Sequence, residues 1–250
     1  MLRKFLLVAG FGFATLQSIA QTSSDFRLSN TDWTYREGNW RIHGILVKPI
    51  GPGPFPAILV SHGKGSNAEG FARQKAEQFA KWGMVTIAVD YTHANNTSNP
   101  GNDGASPENI RRAQKCLDIL RDQRYVDGRR IAAYGNSMGA FVTIALAAEG
   151  KAKLKAAIIT AGGVSELAGA SPSEDTAAKI RTPMLILHGE KDFTVAEEKS
   201  SKLQEILEAN KVPVERYVYP GQGHDIHRTE ESDVYNRIHD WLVTCKVLQG

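Results

Sequence analysis

The chain has 250 residues, 42% hydrophobic and 23% charged, with a formal net charge of +3. That length and hydrophobic content suit one α/β domain with a real core. Arg3 and Lys4 fall in the first twenty residues with no acid beside them, so the remainder carries only +1; no Lys/Arg cluster interleaved with aromatics appears, and a nucleic-acid partner is not indicated.

Residues 1–4 make a short basic start, 5–16 are largely apolar, and Ser18-Ile19-Ala20 offers the small residues a signal peptidase reads. The apolar run is shorter than the roughly 20 residues that span a bilayer. The expectation is a cleaved signal peptide over 1–20, a flexible leader over 21–30 and one domain over 31–250. The protein would then be exported, periplasmic or extracellular, with no membrane anchor after cleavage.

Residues 31–36 and 40–48 alternate in character around Glu37-Gly38-Asn39 and read as a β-hairpin. After the punctuation of 51–56, short apolar runs alternate with amphipathic helices. Strands are expected at 57–60, 84–89, 130–136, 154–160, 183–187 and 214–219. Helices are expected at 66–82, from Pro107 with Ser106 as N-cap, at 140–148, 195–210 and 233–248. Continuous apolar strands separated by helices predict an α/β fold, a mostly parallel sheet flanked by helices on both faces, with the hairpin as an antiparallel addition.

Gly135-Asn136-Ser137-Met138-Gly139 is a G-x-S-x-G pattern at the end of a buried strand and the start of a small apolar helix. A serine on such an elbow presents its hydroxyl above the sheet. Ser106, Ser165 and Ser171 also follow Gly-x, but none has the closing glycine. A serine hydroxyl needs a base within hydrogen-bond reach. His224 follows the last strand on the glycine-rich loop Pro220-Gly221-Gln222-Gly223, and Leu187-His188-Gly189-Glu190-Lys191-Asp192 ends the strand before. Asp192 and Glu190 compete to orient the histidine, and Asp192, just before a helix, is favoured. Ser61-His62-Gly63-Lys64-Gly65 is a bend after a buried strand; the Lys64 and Met138 N–H groups are the expected oxyanion donors, with His62 bracing the loop. Tyr91 and His93 are candidates to line the substrate side. The chain has no H-E-x-x-H or C-x-x-C and nothing that calls for a metal or other cofactor.

On His62-Gly63-x-Gly65, Gly135-x-Ser137-x-Gly139, Gly189-x-x-Asp192 and Gly223-His224, the chain resembles the α/β-hydrolase superfamily and, within it, the dienelactone hydrolase-like branch. The order Ser, Asp, His is that superfamily's. The resemblance implies an α/β-hydrolase fold and a cofactor-free serine hydrolase of small-molecule esters. The branch's founding members use a cysteine nucleophile where this chain has Ser137, so a general ester hydrolase is implied before a lactone hydrolase or a peptidase. It also implies that the helices carrying Cys116 and Cys245 cover opposite faces of the sheet, which keeps both as thiols. A lid is commonly inserted after the strand following the elbow helix; here that interval, 161–179, has room for a loop and at most a short helix. Without a sizeable cap, short acyl groups are expected to be preferred.

Overall fold

The computed structural model describes residues 24–97, 101–165 and 170–249; the expected signal peptide lies outside them. The strands are β1 (Ser24–Ser29), β2 (Asp32–Glu37), β3 (Trp40–Val47), β4 (Phe55–Ser61), β5 (Val85–Val89), β6 (Val126–Asn136), β7 (Ala156–Thr160), β8 (Met184–Gly189) and β9 (Val214–Tyr219). They form one sheet in the order β1-β2-β3-β5-β4-β6-β7-β8-β9. Pairings from β1 to β5 across β2 and β3 are antiparallel, and those from β5 through β9 are parallel. The hairpin is therefore present as β2–β3, extended by a strand that was expected to be loose leader. Ser24–Ser29 pairs along its whole length with β2; its largely exposed side chains hid it, because an edge strand needs backbone partners rather than an apolar pattern.

The helices are α1 (Ala68–Lys81), α2 (Pro107–Asp122), α3 (Met138–Ala148), α4 (Glu174–Ala177), α5 (Glu198–Ala209), α6 (Ile226–Thr229) and α7 (Glu231–Thr244). α2 begins as expected: Pro107 takes the first turn and Ser106 Oγ accepts the Asn109 N–H at 3.3 Å. α5 starts later than its apolar pattern suggests, because the Val195 N–H is held by Asp192 rather than by a helix.

Alternation along the central strands sends side chains to two cores. Ala57, Leu59, Ala157 and Ile159 pack under α2, α3 and α5, whereas Ile58, Val60, Ala156 and Ile158 pack under α1 and α7. Cys116 belongs to the first core and Cys245 packs against the second, and both are free thiols. α3 is buried on nearly every face, as its small apolar composition requires. Among the described residues no helix is long and apolar enough to cross a membrane. The described part of the interval 161–179 contains only one helical turn, α4.

Candidate active site

β6 ends in a turn that few residues tolerate. Ser137 has φ 56° and ψ −121°, a strained conformation, and it precedes the first residue of α3. A Cβ on Gly135 would lie 2.1 Å from the Gly139 carbonyl oxygen, and one on Gly139 would lie 2.1 Å from that of Ser61. The two flanking glycines are thus demanded by backbone approach on both sides. The Ser137 N–H donates to Thr160 O at 3.0 Å, which ties the elbow to the end of β7.

Two further loops bring partners to this serine. They abut so closely that a Cβ on Gly189 would sit 2.1 Å from the Gly223 carbonyl oxygen. His224 Nε2 lies 2.9 Å from Ser137 Oγ, and His224 Nδ1 lies 2.7 Å from Asp192 Oδ2. Asp192 is 5% exposed, and its other oxygen accepts the Thr194 and Val195 N–H groups, each at 2.9 Å. His188 Nε2 sits 3.2 Å from Oδ2 and 2.8 Å from Val195 O. Burial works against the carboxylate, but the hydrogen bonds from His188, His224 and Val195 outweigh it and hold the carboxyl below its usual range. Glu190, the competing acid, points elsewhere: its carboxylate accepts the Gly221 N–H at 2.7 Å. An ionised Asp192 fixes the proton on His224 Nδ1 and leaves Nε2 to accept from the serine.

The loop after β4 forms the opposite wall. A Cβ on Gly63 would meet the Ser137 Cβ at 3.1 Å, so the 62–65 bend lies against Ser137. Met138 supplies the first amide of α3, which has no intrahelical acceptor and lies at the positive end of the helix dipole. His62 braces the bend as expected. The Tyr91 N–H donates to its Nε2 at 3.1 Å, so Nδ1 carries the proton and donates to Gly63 O at 2.9 Å. Burial lowers the His62 pKa to about 4, which keeps this arrangement neutral.

Tyr91 and His93 do not line the substrate side. They are 2% and 0% exposed and lie behind the bend. The Tyr91 hydroxyl bonds Ser61 Oγ at 2.8 Å. The Gly104 N–H donates to His93 Nδ1 at 3.3 Å, leaving Nε2–H to donate to His62 O at 3.2 Å. The two rings stack on each other, 5.5 Å apart. Both followed a strand end, the usual address of a site residue, but β5 is separated from Ser137 by β4 and its bend.

The cleft over Ser137 encloses about 480 Å³ between the 63–66 bend, α1 and the 224–228 segment. Its lining includes the cations Lys75 and Arg228, together with His227 and one acid, Asp225. Lys75 is 4% exposed, and its ammonium sits 4.2 Å from the Phe71 ring centroid. Burial lowers the Lys75 pKa to about 8, against the pull of Glu231. Burial likewise lowers His227 to about 4, and its Nδ1 is buried without a hydrogen-bond partner. Among the described residues no group of three His, Cys, Asp or Glu side chains is placed to hold a metal ion.

Residues 42–247 match the Dienelactone hydrolase family. The chain belongs to that family. Among curated proteins it is similar to the "uncharacterized peptidase YtmA" of Bacillus subtilis, 27% identical over 239 residues, covering 83% of this chain and 91% of the relative. Among solved structures it is similar to Thermogutta terrifontis esterase 2 phosphoramylated by tabun, with TM-score 0.71 and 19% identity, covering 91% of this chain and 96% of the esterase. It is also similar to Porphyromonas gingivalis dipeptidyl peptidase 4, with TM-score 0.71 and 19% identity over 89% of this chain, but spans only 35% of that peptidase. The fold is the α/β-hydrolase fold, and a serine nucleophile is typical of it. Family membership makes the protein a hydrolase and leaves ester and peptide cleavage both within the family's range.

Within the family's frame, the cationic lining is what sequence reading missed. Lys75 falls on the same stripe of α1 as the buried Phe71, Ala72, Ala76 and Phe79. A lysine inside an apolar helical stripe was the available signal. His227 and Arg228 lie within four residues of His224, on a one-turn helix too short to announce itself by periodicity.

Proposed function

We propose that the protein is an exported serine hydrolase of carboxylic esters, with short acyl groups and a leaving group that is neutral or anionic. The observation that carries it is the chain of contacts from Ser137 through His224 to Asp192, at 2.9 and 2.7 Å. His224 takes the serine proton as Oγ attacks the ester carbonyl, and the Lys64 and Met138 amides receive the oxyanion. His224 then returns the proton to the leaving alkoxide. Water, deprotonated by the same imidazole, releases the acid from the acyl-enzyme. The tabun adduct of the Thermogutta terrifontis esterase is covalent chemistry of the kind this reading expects here.

Two features support the substrate class. The described part of 161–179 contributes only the single turn α4, which gives little apolar wall for a long acyl chain, whose methylenes would each contribute about 0.8 kcal/mol if buried. The cations Lys75 and Arg228 line the same cleft as Ser137 and His224. They disfavour a substrate that brings a free α-ammonium into the cleft, as a dipeptidyl-peptidase substrate does with the acyl part it presents to the serine. Hydrolysis of 4-nitrophenyl esters from acetate to dodecanoate, alongside Gly-Pro 4-nitroanilide, tests both parts. The expected profile peaks between acetate and butyrate, with the anilide slower by more than a hundredfold. Activity rising to octanoate, or an anilide cleaved as fast as the acetate, would contradict the assignment.

A further inference from the structure

A second hollow lies one turn further along α1 from the cleft over Ser137. Phe71, Gln74, Lys75 and Gln78 lie three or four residues apart on one face of α1, and Trp82, its C-cap, follows four residues later. This polar groove of about 630 Å³ lies between α1 and α7, lined by Gln78, Trp82, Tyr235, Asn236 and His239 among others. Trp82 and His239 also line the next hollow, of about 340 Å³, by Pro54, Pro56 and Arg130. One hydrogen bond crosses between cleft and groove, from Gln74 Nε2 to Glu231 Oε1 at 3.0 Å, and it is exposed. At 1.5 Å per residue, the run from Gln74 to Trp82 is about 12 Å long.

We infer that this groove binds a neutral oligosaccharide, and that the physiological ester is an acylated sugar chain whose saccharide is the leaving group. The inference rests on the esterase reading for its second half only. The lining decides the chemical class. It holds no aliphatic side chain for an acyl tail, and both flanking helices satisfy their own backbones, so a peptide finds no strand edge to join. Asp240 is its one carboxylate, beside His239 at 3.6 Å, so a polyanion finds no cationic track there. What remains is an indole flanked by amide, hydroxyl and carboxylate groups. A pyranose matches that combination, with C–H faces to lay on the indole and hydroxyls that both donate and accept. The Trp82 ring is fixed by contacts to the rings of Phe79, Tyr235 and His239, with centroids 5.4, 6.1 and 5.0 Å away.

The Ser137→Ala protein is run in native gels containing soluble xylan or glucomannan, and the active protein is assayed on acetylated xylo-oligosaccharide and on 4-nitrophenyl acetate. Retardation by at least one polysaccharide is expected, abolished by Trp82→Ala. The ratio of kcat/KM on the oligosaccharide to that on 4-nitrophenyl acetate should fall about tenfold in Trp82→Ala, through KM, and severalfold in Asn236→Ala. Asn236 is exposed, so its loss leaves the core intact should Trp82→Ala fold poorly. Esterase activity without retardation, or a ratio unchanged in both variants, would overturn the groove and leave the esterase reading standing. Retardation in a wild-type protein that cleaves no ester would do the reverse.

Discussion

The two walls of the cleft are built on different principles. The wall that carries Ser137, Asp192 and His224 is made by backbones in near contact, and a Cβ at Gly135, Gly139 or Gly189 would meet a carbonyl oxygen at 2.1 Å. The wall that carries Lys75 and His227 is made by side chains that burial pushes toward neutrality. The first holds charge where it is stabilised, with Asp192 receiving hydrogen bonds on both oxygens. The second holds a cation where it is penalised, a cost that a bound anionic group would offset. Rigid positioning and stored electrostatic potential are thus carried by different residues of one cleft.

The contrast breaks most severely at the rigid wall. Asp192→Asn should lower kcat by on the order of 10⁴, by presenting His224 in the wrong tautomer. Glu190→Gln, which loses only the Gly221 contact, should stay within twofold. Steady-state assays of both variants check this, and equal losses would merge the two acids into one function.

At the cationic wall the expected sign is opposite for stability. Lys75 has a folded pKa lowered from 10.5 to about 8, so the unfolded chain binds more protons between those values and the penalty is full below pH 8. Lys75→Met should therefore stabilise the protein by roughly 3 kcal/mol at pH 7, an advantage that fades from pH 8 to 10.5. The same variant should lose about tenfold of any preference for acetylsalicylate over phenyl acetate, and the wild type should lose it as pH rises through about 8. Urea melts and the two-substrate ratio read these separately. A destabilised Lys75→Met would mean that the lysine is packed as a structural group.

Acid sharpens the comparison further. His62 and His227 have folded pKa values lowered from 6.5 to about 4, so the unfolded chain gains protons first and stability falls as pH drops through that window. Each contributes a loss of roughly 3 kcal/mol once pH is below 4. His62→Gln should flatten part of that slope in urea melts between pH 7 and 4.5. A slope unchanged by the substitution would remove His62 as its source.

The difference between the walls also explains what could be read in the sequence. A backbone in tight contact writes itself as glycine, so the elbow and the approach of the 189 and 223 loops were visible as Gly135, Gly139, Gly189 and Gly223. Central strands and amphipathic helices were legible because their burial has a period. Strand β1 was not, since its pairing is carried by the backbone and its side chains are mostly exposed. Tyr91 and His93 were misplaced because position after a strand end says nothing about which neighbouring loop lies in front. Lys75 was overlooked because its meaning depends on α6, which lies 150 residues further along the chain.

If Ser137 is a nucleophile activated by His224 and Asp192, a fluorophosphonate probe, followed by proteolysis and mass mapping, should find it. One adduct is expected, on the peptide containing Ser137, formed rapidly by the wild type, far more slowly by Asp192→Asn, and absent from Ser137→Ala. Labelling that persists in Ser137→Ala, or an adduct mapped to any other residue, would contradict that role.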